Sequence, residues 1–265
     1  QRKAEQVKES VNRWLYLPSE GRYLTTLYQG NSIAPSPHAQ AWALAYGLAP
    51  AGETERVAAA LLGLLASDPQ IPNLDVYGMY WVLEGLGRAG KIPDAVKIIE
   101  NYYGYLLDQG AQTWWERLNA NLSYGASLSH GWGGAPTWFL SAHVLGLTRS
   151  GADAWQAKPA FQAVDRAWGS LPLERGEVQI SWIYRSCREI WVELHSPASS
   201  PGEIILPVDN SILEISVNEQ IAFQNGQSWV ESLSILPGEM RLALSGGLNT
   251  LRILQTCPGT IRNDH

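Results

Sequence analysis

The sequence predicts a multidomain chain, α then β, with a helical domain over residues 1–157 followed by a small antiparallel β-sandwich over 158–265. Three observations predict it. Up to about residue 149 the apolar residues recur three and four apart, the period of a helix with one buried face. After about Lys158 the period shortens to two, as in strands that bury alternate side chains. The punctuation changes with it, from helix signals such as Ser36-Pro37 and Gly90 to the turn dipeptides Asn225-Gly226, Pro237-Gly238 and Gly246-Gly247.

Six helices are expected. The first, about 3–16, sets Val7, Val11, Trp14 and Leu15 on one face. The second, 37–48, is capped by Ser36, opened by Pro37 and followed by Pro50, with Ala41, Leu44, Ala45 and Leu48 inward. The third, 53–66, carries Val57, Ala60, Leu61 and Leu64, and Pro69 and Pro72 separate it from the fourth, 75–89, with Met79, Val82, Leu83 and Leu86. Gly90 ends the fourth, Pro93 opens the fifth at 93–107, and the sixth spans 135–147 around Phe139, Leu140 and Leu145. Short connections make neighbouring helices antiparallel hairpins. The exception is a long Gly-, Asn- and Ser-rich loop, 108–134. Strands are expected at 178–182, 190–194, 203–206, 213–217, 240–244 and 250–254, and residues 150–172, with Phe161, Val164 and Trp168, make the crossing between the two domains and could contribute a first strand.

Composition removes several classes of function. A net charge of −6 and a pI near 5.4 lack the clustered Lys and Arg that neutralise a phosphate backbone, so no nucleic-acid partner is expected. No apolar run reaches the roughly 18–20 residues that span a bilayer, so no membrane partner is expected either. The N-terminus shows no signal-peptide core, which leaves the compartment open. Cys187 and Cys257 lie in no metal-ligand spacing; one bridge between them and two free thiols are equally compatible with their positions. The 12 Trp and 11 Tyr against 3 Phe are lopsided. Aromatics kept only for packing would include more Phe, whereas Trp and Tyr join a flat apolar face to a polar tip and suit a hydroxylated ligand.

Chemistry concentrates in the long loop. In Gly110-Ala111-Gln112-Thr113-Trp114-Trp115-Glu116 a carboxylate stands beside two indoles, and an apolar wall that desolvates it would poise it as a general acid or base. An exposed Glu116 paired with Arg117 is the plainer alternative. In Ser127-Leu128-Ser129-His130-Gly131-Trp132-Gly133-Gly134-Ala135-Pro136, His130 could bond a sugar hydroxyl and Trp132 could floor a sugar ring. Against that, a loop histidine can cap the last helix while the indoles pack inside. Tyr77, Tyr80 and Trp81 open the fourth helix and either line a pocket or join the core. His38 and His143 read as packing residues. HExxH, GxSxG, P-loop and dinucleotide signatures are absent, and no metal or cofactor is expected.

These segments, together with Ser36-Pro37-His38-Ala39-Gln40-Ala41-Trp42-Ala43-Leu44 and Tyr77-Gly78-Met79-Tyr80-Trp81-Val82-Leu83-Glu84-Gly85-Leu86, occur in the order seen in glycoside hydrolase family 78. The chain resembles these bacterial-type α-L-rhamnosidases over nearly its whole length. Gly176-Glu177-Val178-Gln179-Ile180-Ser181-Trp182 and Ile205-Leu206-Pro207 match the family's C-terminal sandwich. The resemblance implies an (α/α)₆ six-hairpin barrel of twelve helices and inverting hydrolysis of terminal α-L-rhamnose. With six helices counted, the chain corresponds to the C-terminal half of that barrel plus the sandwich, and the missing N-terminal portion of the same polypeptide is an implied partner. By the same resemblance Glu116 is the general base, His130, Trp132, Trp114, Trp115 and Tyr80 contact a rhamnose-containing glycoside, and the general acid lies in an early barrel loop outside these residues. Glu84 and Glu100, on scaffold helices, do not replace it. One departure stands out: where the family has Ala-Trp-Ser-Ala after its histidine, this chain has Gly131-Trp132-Gly133-Gly134, a smaller pocket wall that could alter substrate or linkage preference. The isolated chain is expected to be nearly inactive. Two other functions fit the same residues, a non-catalytic carbohydrate-binding module and a six-hairpin glycosidase of different sugar specificity.

Overall fold

A computed structural model describes residues 2–66, 74, 76–118, 125–208 and 211–257. The chain divides into two compact units, Gln1–Phe139 and Leu140–His265. Among the described residues the first contains helices α1 (Arg2–Leu15), α2 (Pro37–Ala45), α3 (Thr54–Ala66), α4 (Val76–Arg88), α5 (Ile92–Asp108) and α6 (Ala135–Phe139). Two small hairpins absent from the periodicity reading join α1 to α2, β1 (Tyr16–Leu17) with β2 (Arg22–Tyr23) and β3 (Thr26–Tyr28) with β4 (Asn31–Ile33). Pro69 and Pro72, read as separators of two helices, lie outside the described residues.

Helix boundaries follow the local chemistry. The Ser36 hydroxyl accepts the Ala39 amide at 3.3 Å and Pro37 occupies the first turn of α2, where its missing N–H costs nothing. α4 and α5 end alike: Gly90 and Gly110 take positive φ, and the next amide reaches back five residues, Lys91 to the Leu86 carbonyl and Ala111 to that of Leu106. The core is built where α2 crosses α4. A Cβ on Gly85 would stand 2.8 Å from the Ala41 carbonyl oxygen, so only glycine permits this approach. Ala41, Leu44, Leu61, Met79, Val82, Leu83, Leu86 and Leu106 are buried around it. Gln40, also buried, donates to the Tyr23 carbonyl and accepts the Tyr23 amide, both at 2.8 Å, which fixes β2 against α2.

α1 departs from expectation. Its apolar stripe exists, yet none of its residues is buried, and Val7 and Trp14 are exposed. Polar groups tie it instead: the Lys8 ammonium donates to the Gly47 carbonyl, Asn12 donates to that of Leu48, and Asn12 accepts the Tyr23 hydroxyl at 2.6 Å. The sixth helix is shorter than its periodicity suggests. It is α-helical only to Phe139 and continues as a π-helical turn, Leu140–Leu145, closed by the Gly146 amide on the Ser141 carbonyl. A side chain at Gly146 would overlap the Lys158 carbonyl, and φ there is +81°.

The second unit holds strands β5 (Leu147–Arg149), β6 (Trp155–Ala157), β7 (Arg166–Leu173), β8 (Gly176–Ser186), β9 (Glu189–Ser196), β10 (Gly202–Pro207), β11 (Ile212–Val217), β12 (Gln220–Gln224), β13 (Gln227–Ser228), β14 (Leu233–Leu236), β15 (Glu239–Leu244) and β16 (Gly247–Gln255). They form a five-stranded sheet, β14-β15-β10-β6-β5, and a seven-stranded sheet, β13-β12-β11-β16-β9-β8-β7. All pairs are antiparallel except β6 with β10, which run parallel, so the expected all-antiparallel arrangement holds with one exception. Since β5 and β6 pair within this sheet, the seam expected at 157/158 falls inside the second unit. Trp155 explains why that stretch does not read as a linker: it is fully buried against Gly202, where any side chain would overlap its ring, and its indole donates to the Ser200 carbonyl. Strands β8 and β9 alternate strictly. Val178, Ile180, Trp182, Ile190, Val192 and Leu194 are buried, and their neighbours face solvent. A disulfide joins Cys187, in the β8–β9 turn, to Cys257 after β16.

Three tryptophans that periodic spacing would put in the core, Trp14, Trp42 and Trp191, are exposed, and only Trp182 of that group is buried. Spacing locates a stripe without telling which stripe is covered.

Candidate functional site

The site is organised by a two-segment ladder that follows α5. Gly110 turns the chain out of the helix, and residues 113–116 then run beside 127–130. The Glu116 amide donates to the Ser127 carbonyl at 2.9 Å, the His130 amide to the Trp114 carbonyl at 2.8 Å, and the Thr113 hydroxyl to the Leu128 carbonyl. Glu116 is half-buried, and its Oε2 accepts the Ser127 amide at 2.9 Å. Among the described residues its other oxygen has no partner, and Glu116 makes no ion pair with Arg117. The carboxylate is thus pinned by main chain through one oxygen, leaving lone pairs on the other for a water or a sugar hydroxyl.

The turn that follows aims the aromatic residues. His130 precedes a 3₁₀ turn, Gly131–Gly134, closed by the Gly133 amide on the His130 carbonyl at 2.9 Å. Gly133 packs directly on Trp114, so closely that a Cβ there would overlap the Trp114 Cβ. This contact locks the turn onto the ladder and leaves Trp132 59% exposed, its ring 4.3 Å from that of Tyr77 and 4.9 Å from the His130 imidazole. Trp132 and His130 are therefore brought together with a partner, Tyr77 at the start of α4, that stands outside the expected set of substrate contacts.

The other expected contacts are distributed differently. Trp114 is half-buried and meets the Tyr103 ring edge-on at 5.2 Å. Tyr103 is buried, and that burial pushes its hydroxyl far above the ordinary tyrosine range. Trp115 is only 5% exposed and packs in the core of the unit. Its neighbour Glu116 faces out because alternate residues of an extended segment point to opposite sides. Tyr80 lies in a second aromatic group, 5.1 Å from Trp138 and 5.0 Å from Trp81, and Trp81 in turn is 5.3 Å from Tyr46. Tyr77, Tyr80 and Tyr46 are exposed, as is Trp42. The signal for this face was present in the sequence as aromatic residues three and four apart on α4 and α2. A core stripe has the same spacing, which is why it could not be separated from one.

Among the described residues no three His, Cys, Asp or Glu side chains lie close enough to hold a metal ion, and no helix is long and apolar enough to cross a membrane. Two surface depressions of the first unit lie away from these residues, one lined by Glu9, Asn12, Arg13, Tyr16 and Glu53, another by Glu20, Arg22, Arg56 and Leu64.

Comparison with known proteins places this geometry. In solved structures the fold recurs in an α-L-rhamnosidase from Dictyoglumus thermophilum (TM-score 0.75, 19% identity, 94% of this chain and 28% of that one). It recurs in a Streptomyces avermitilis α-L-rhamnosidase complexed with L-rhamnose (0.69, 18%, 94% and 23%) and in an α-L-rhamnosidase from Aspergillus terreus (0.67, 13%, 94% and 26%). The chain thus spans about a quarter of the length of these relatives. No curated protein sequence matches it. The family profile of the bacterial α-L-rhamnosidase six-hairpin glycosidase domain matches residues 1–144, more than half of the chain and all of the ladder, the turn and the aromatic face. The chain belongs to the bacterial α-L-rhamnosidase six-hairpin glycosidase family.

Proposed function

We propose that the protein takes part in inverting hydrolysis of a terminal α-L-rhamnosyl residue, with Glu116 as the general base. The observation that carries this reading is the pinned carboxylate: Ser127 holds one oxygen of Glu116, and the same ladder delivers His130 and Trp132 to one loop. Inversion needs a base that activates water on the face of the sugar opposite the leaving group, with an acid carboxyl about 6.5–9.5 Å away. His130 bonds a ring hydroxyl, and the Trp132–Tyr77 pair floors the C–H face of the sugar. Trp114 shapes the wall behind them, Trp115 acts through packing, and Tyr80 with Trp138 extends the floor. The helices correspond to half of a twelve-helix barrel, with a two-sheet sandwich after it. The rest of the barrel, supplied by the same polypeptide, contributes the general acid.

The test is Glu116→Gln in the full-length enzyme assayed on an aryl α-L-rhamnoside. A general base contributes about 10²–10⁴-fold, so a loss in that range is expected, and a loss under about tenfold excludes the role. The 265-residue chain alone should show no turnover; robust hydrolysis by it would remove the half-barrel reading. The exposed Trp132–Tyr77 pair also favours a second reading, a module that binds L-rhamnose without cleaving it. That reading requires tryptophan fluorescence to report L-rhamnose binding while the full-length protein remains inactive.

A further inference from the structure

The outer face of the seven-stranded sheet carries a second, unrelated set of exposed tryptophans. Cross-strand register aligns Trp168 (β7), Ser181 (β8) and Glu193 (β9) in one row and Arg166, Ile183 and Trp191 in the next. All six side chains face solvent, because their neighbours along β8 and β9 fill the core. Trp168 is 74% exposed. Two guanidiniums border the indoles: Arg166 opposite Ile183, and Arg185 two residues beyond Ile183 on β8, on the side of Trp191 away from Trp168 and seated 5.3 Å over the Trp191 ring. Neither makes an ion pair among the described residues, although the chain as a whole is acidic. Arg252, paired with Glu189 at 2.6 Å, also lies over the Trp191 ring, 6.0 Å from its centroid.

Sheet geometry puts Trp168 and Trp191 two strands and two residues apart, about 12 Å between backbones. That is wider than one pyranose ring and suits a short oligosaccharide. An indole receives the C–H face of a sugar, Ser181 and Glu193 are placed to bond its hydroxyls, and guanidinium forks recognise carboxylates. A protein interface would need a contiguous apolar centre with few charges. Here the apolar groups are separated by polar ones, and the unpaired charges of the patch among the described residues are two guanidiniums, Arg166 and Arg185, against one carboxylate, Glu193.

From this we infer that the face is a carbohydrate-binding site for uronate-bearing oligosaccharides, with Trp168 as the stacking platform, Arg166 and Arg185 as carboxylate ligands, and Trp191 as the ring against which Arg185 is held. The site lies wholly within the second unit and does not depend on the role of Glu116.

The test is affinity electrophoresis and calorimetry of the full chain with oligogalacturonate, with a neutral xylo-oligosaccharide of equal length as the comparison. Oligogalacturonate should bind and the neutral oligomer bind more weakly, with the difference erased near 1 M salt, where the Debye length is about 3 Å. Trp168→Ala should weaken binding by about tenfold or more, the loss expected when a stacked ring is removed. Trp168→Tyr should restore most of it, and Arg166→Gln with Arg185→Gln should remove the preference for the acidic oligomer. Trp229→Ala, an exposed tryptophan just after β13, should change nothing. Unchanged melting of Trp168→Ala secures the fold, since that side chain is in water already. Absence of oligogalacturonate binding, binding indifferent to Trp168, or self-association in sedimentation that Trp168→Ala abolishes would each overturn the inference.

Discussion

The contact between Gly133 and Trp114 gives the sharpest test of how the site is held. Replacing Gly133 with alanine adds one methyl group that overlaps the Trp114 Cβ and sits 3.3 Å from the Val76 side chain. A flexible side-chain tip could swing away, but a Cβ is one bond from the backbone and can move only with the ladder. Trp114 gives its carbonyl to the His130 amide, so displacing it loosens the strand that carries Glu116. Overpacking of this kind costs about 1–3 kcal/mol, and the rigidity of both partners places this case at about 2–3. For a protein of this size that lowers the melting temperature by roughly 5–10 °C. Gly134→Ala is the matched control: a Cβ there has nothing within 4 Å, so its cost should stay within about 0.5 kcal/mol. Urea and thermal unfolding followed by tryptophan emission measure both. Should the two variants be equally stable, Gly133 does not lock the turn. A serine at 133 would meet the same obstacle, since its Cβ would take the space that the Trp114 Cβ occupies.

Three further outcomes are expected. The buried Tyr16 hydroxyl is pushed up to about 12, first by desolvation and then by its 2.5 Å bond to Glu53. The folded state therefore holds this proton more tightly than the unfolded chain, whose tyrosine titrates near 10, so its contribution is intact below about pH 10 and lost as pH climbs toward 12. Thermal melts should show the gap between the parent and Tyr16→Phe narrowing across that interval, and parallel profiles would contradict it. The disulfide closes a loop of 70 residues, for which the chain-entropy relation gives about 4 kcal/mol. A Cys187→Ala, Cys257→Ala variant should lower the denaturant midpoint of the second unit, and an unchanged midpoint would mean the bridge constrains nothing the sheet does not. Leu83→Ala, at a fully buried position on α4, should cost about 2–5 kcal/mol by calorimetry, and a smaller loss would show that the core collapses around the deleted side chain.

Helices and long strands were legible because each carries its own period. Five of the six helices and the six expected strands lie close to their expected ranges, while the sixth helix gives way to a π turn after Phe139; punctuation by Pro37, Gly90 and Asn225-Gly226 acts through local backbone chemistry. What escaped depends on partners distant in sequence. β5 and β6 are too short to show alternation and exist through pairing with each other and with β10. The β1–β2 hairpin is fixed to α2 by Gln40, a side chain that no pattern marks as a backbone ligand. In the site, the sequence grouped Glu116, His130 and Trp132 by motif. It could not assign Trp114 and Trp115 to opposite sides of one segment, because that follows from the ladder. Tyr77 joined Trp132 only once α4 was set beside the 3₁₀ turn.

The aromatic composition resolves along the same line. The three Phe residues, Phe139, Phe161 and Phe223, are all buried, whereas of the 12 Trp only Trp115, Trp155 and Trp182 are. If tryptophan were simply a large filler, the two residues would share the core in proportion to their numbers. They do not, and several exposed tryptophans pair with other rings or with charge: Trp132 with Tyr77 and His130, Trp138 with Tyr80, Trp191 with two arginines. Leaving such surface in water forfeits burial worth about 1.5–3 kcal/mol per large apolar side chain, a loss that packing alone gives no reason to accept. A ligand that covers the ring and uses the polar rim around it does. The preference for Trp and Tyr over Phe is therefore a statement about surfaces, made separately by the helical unit at Glu116 and by the sheet at Trp168.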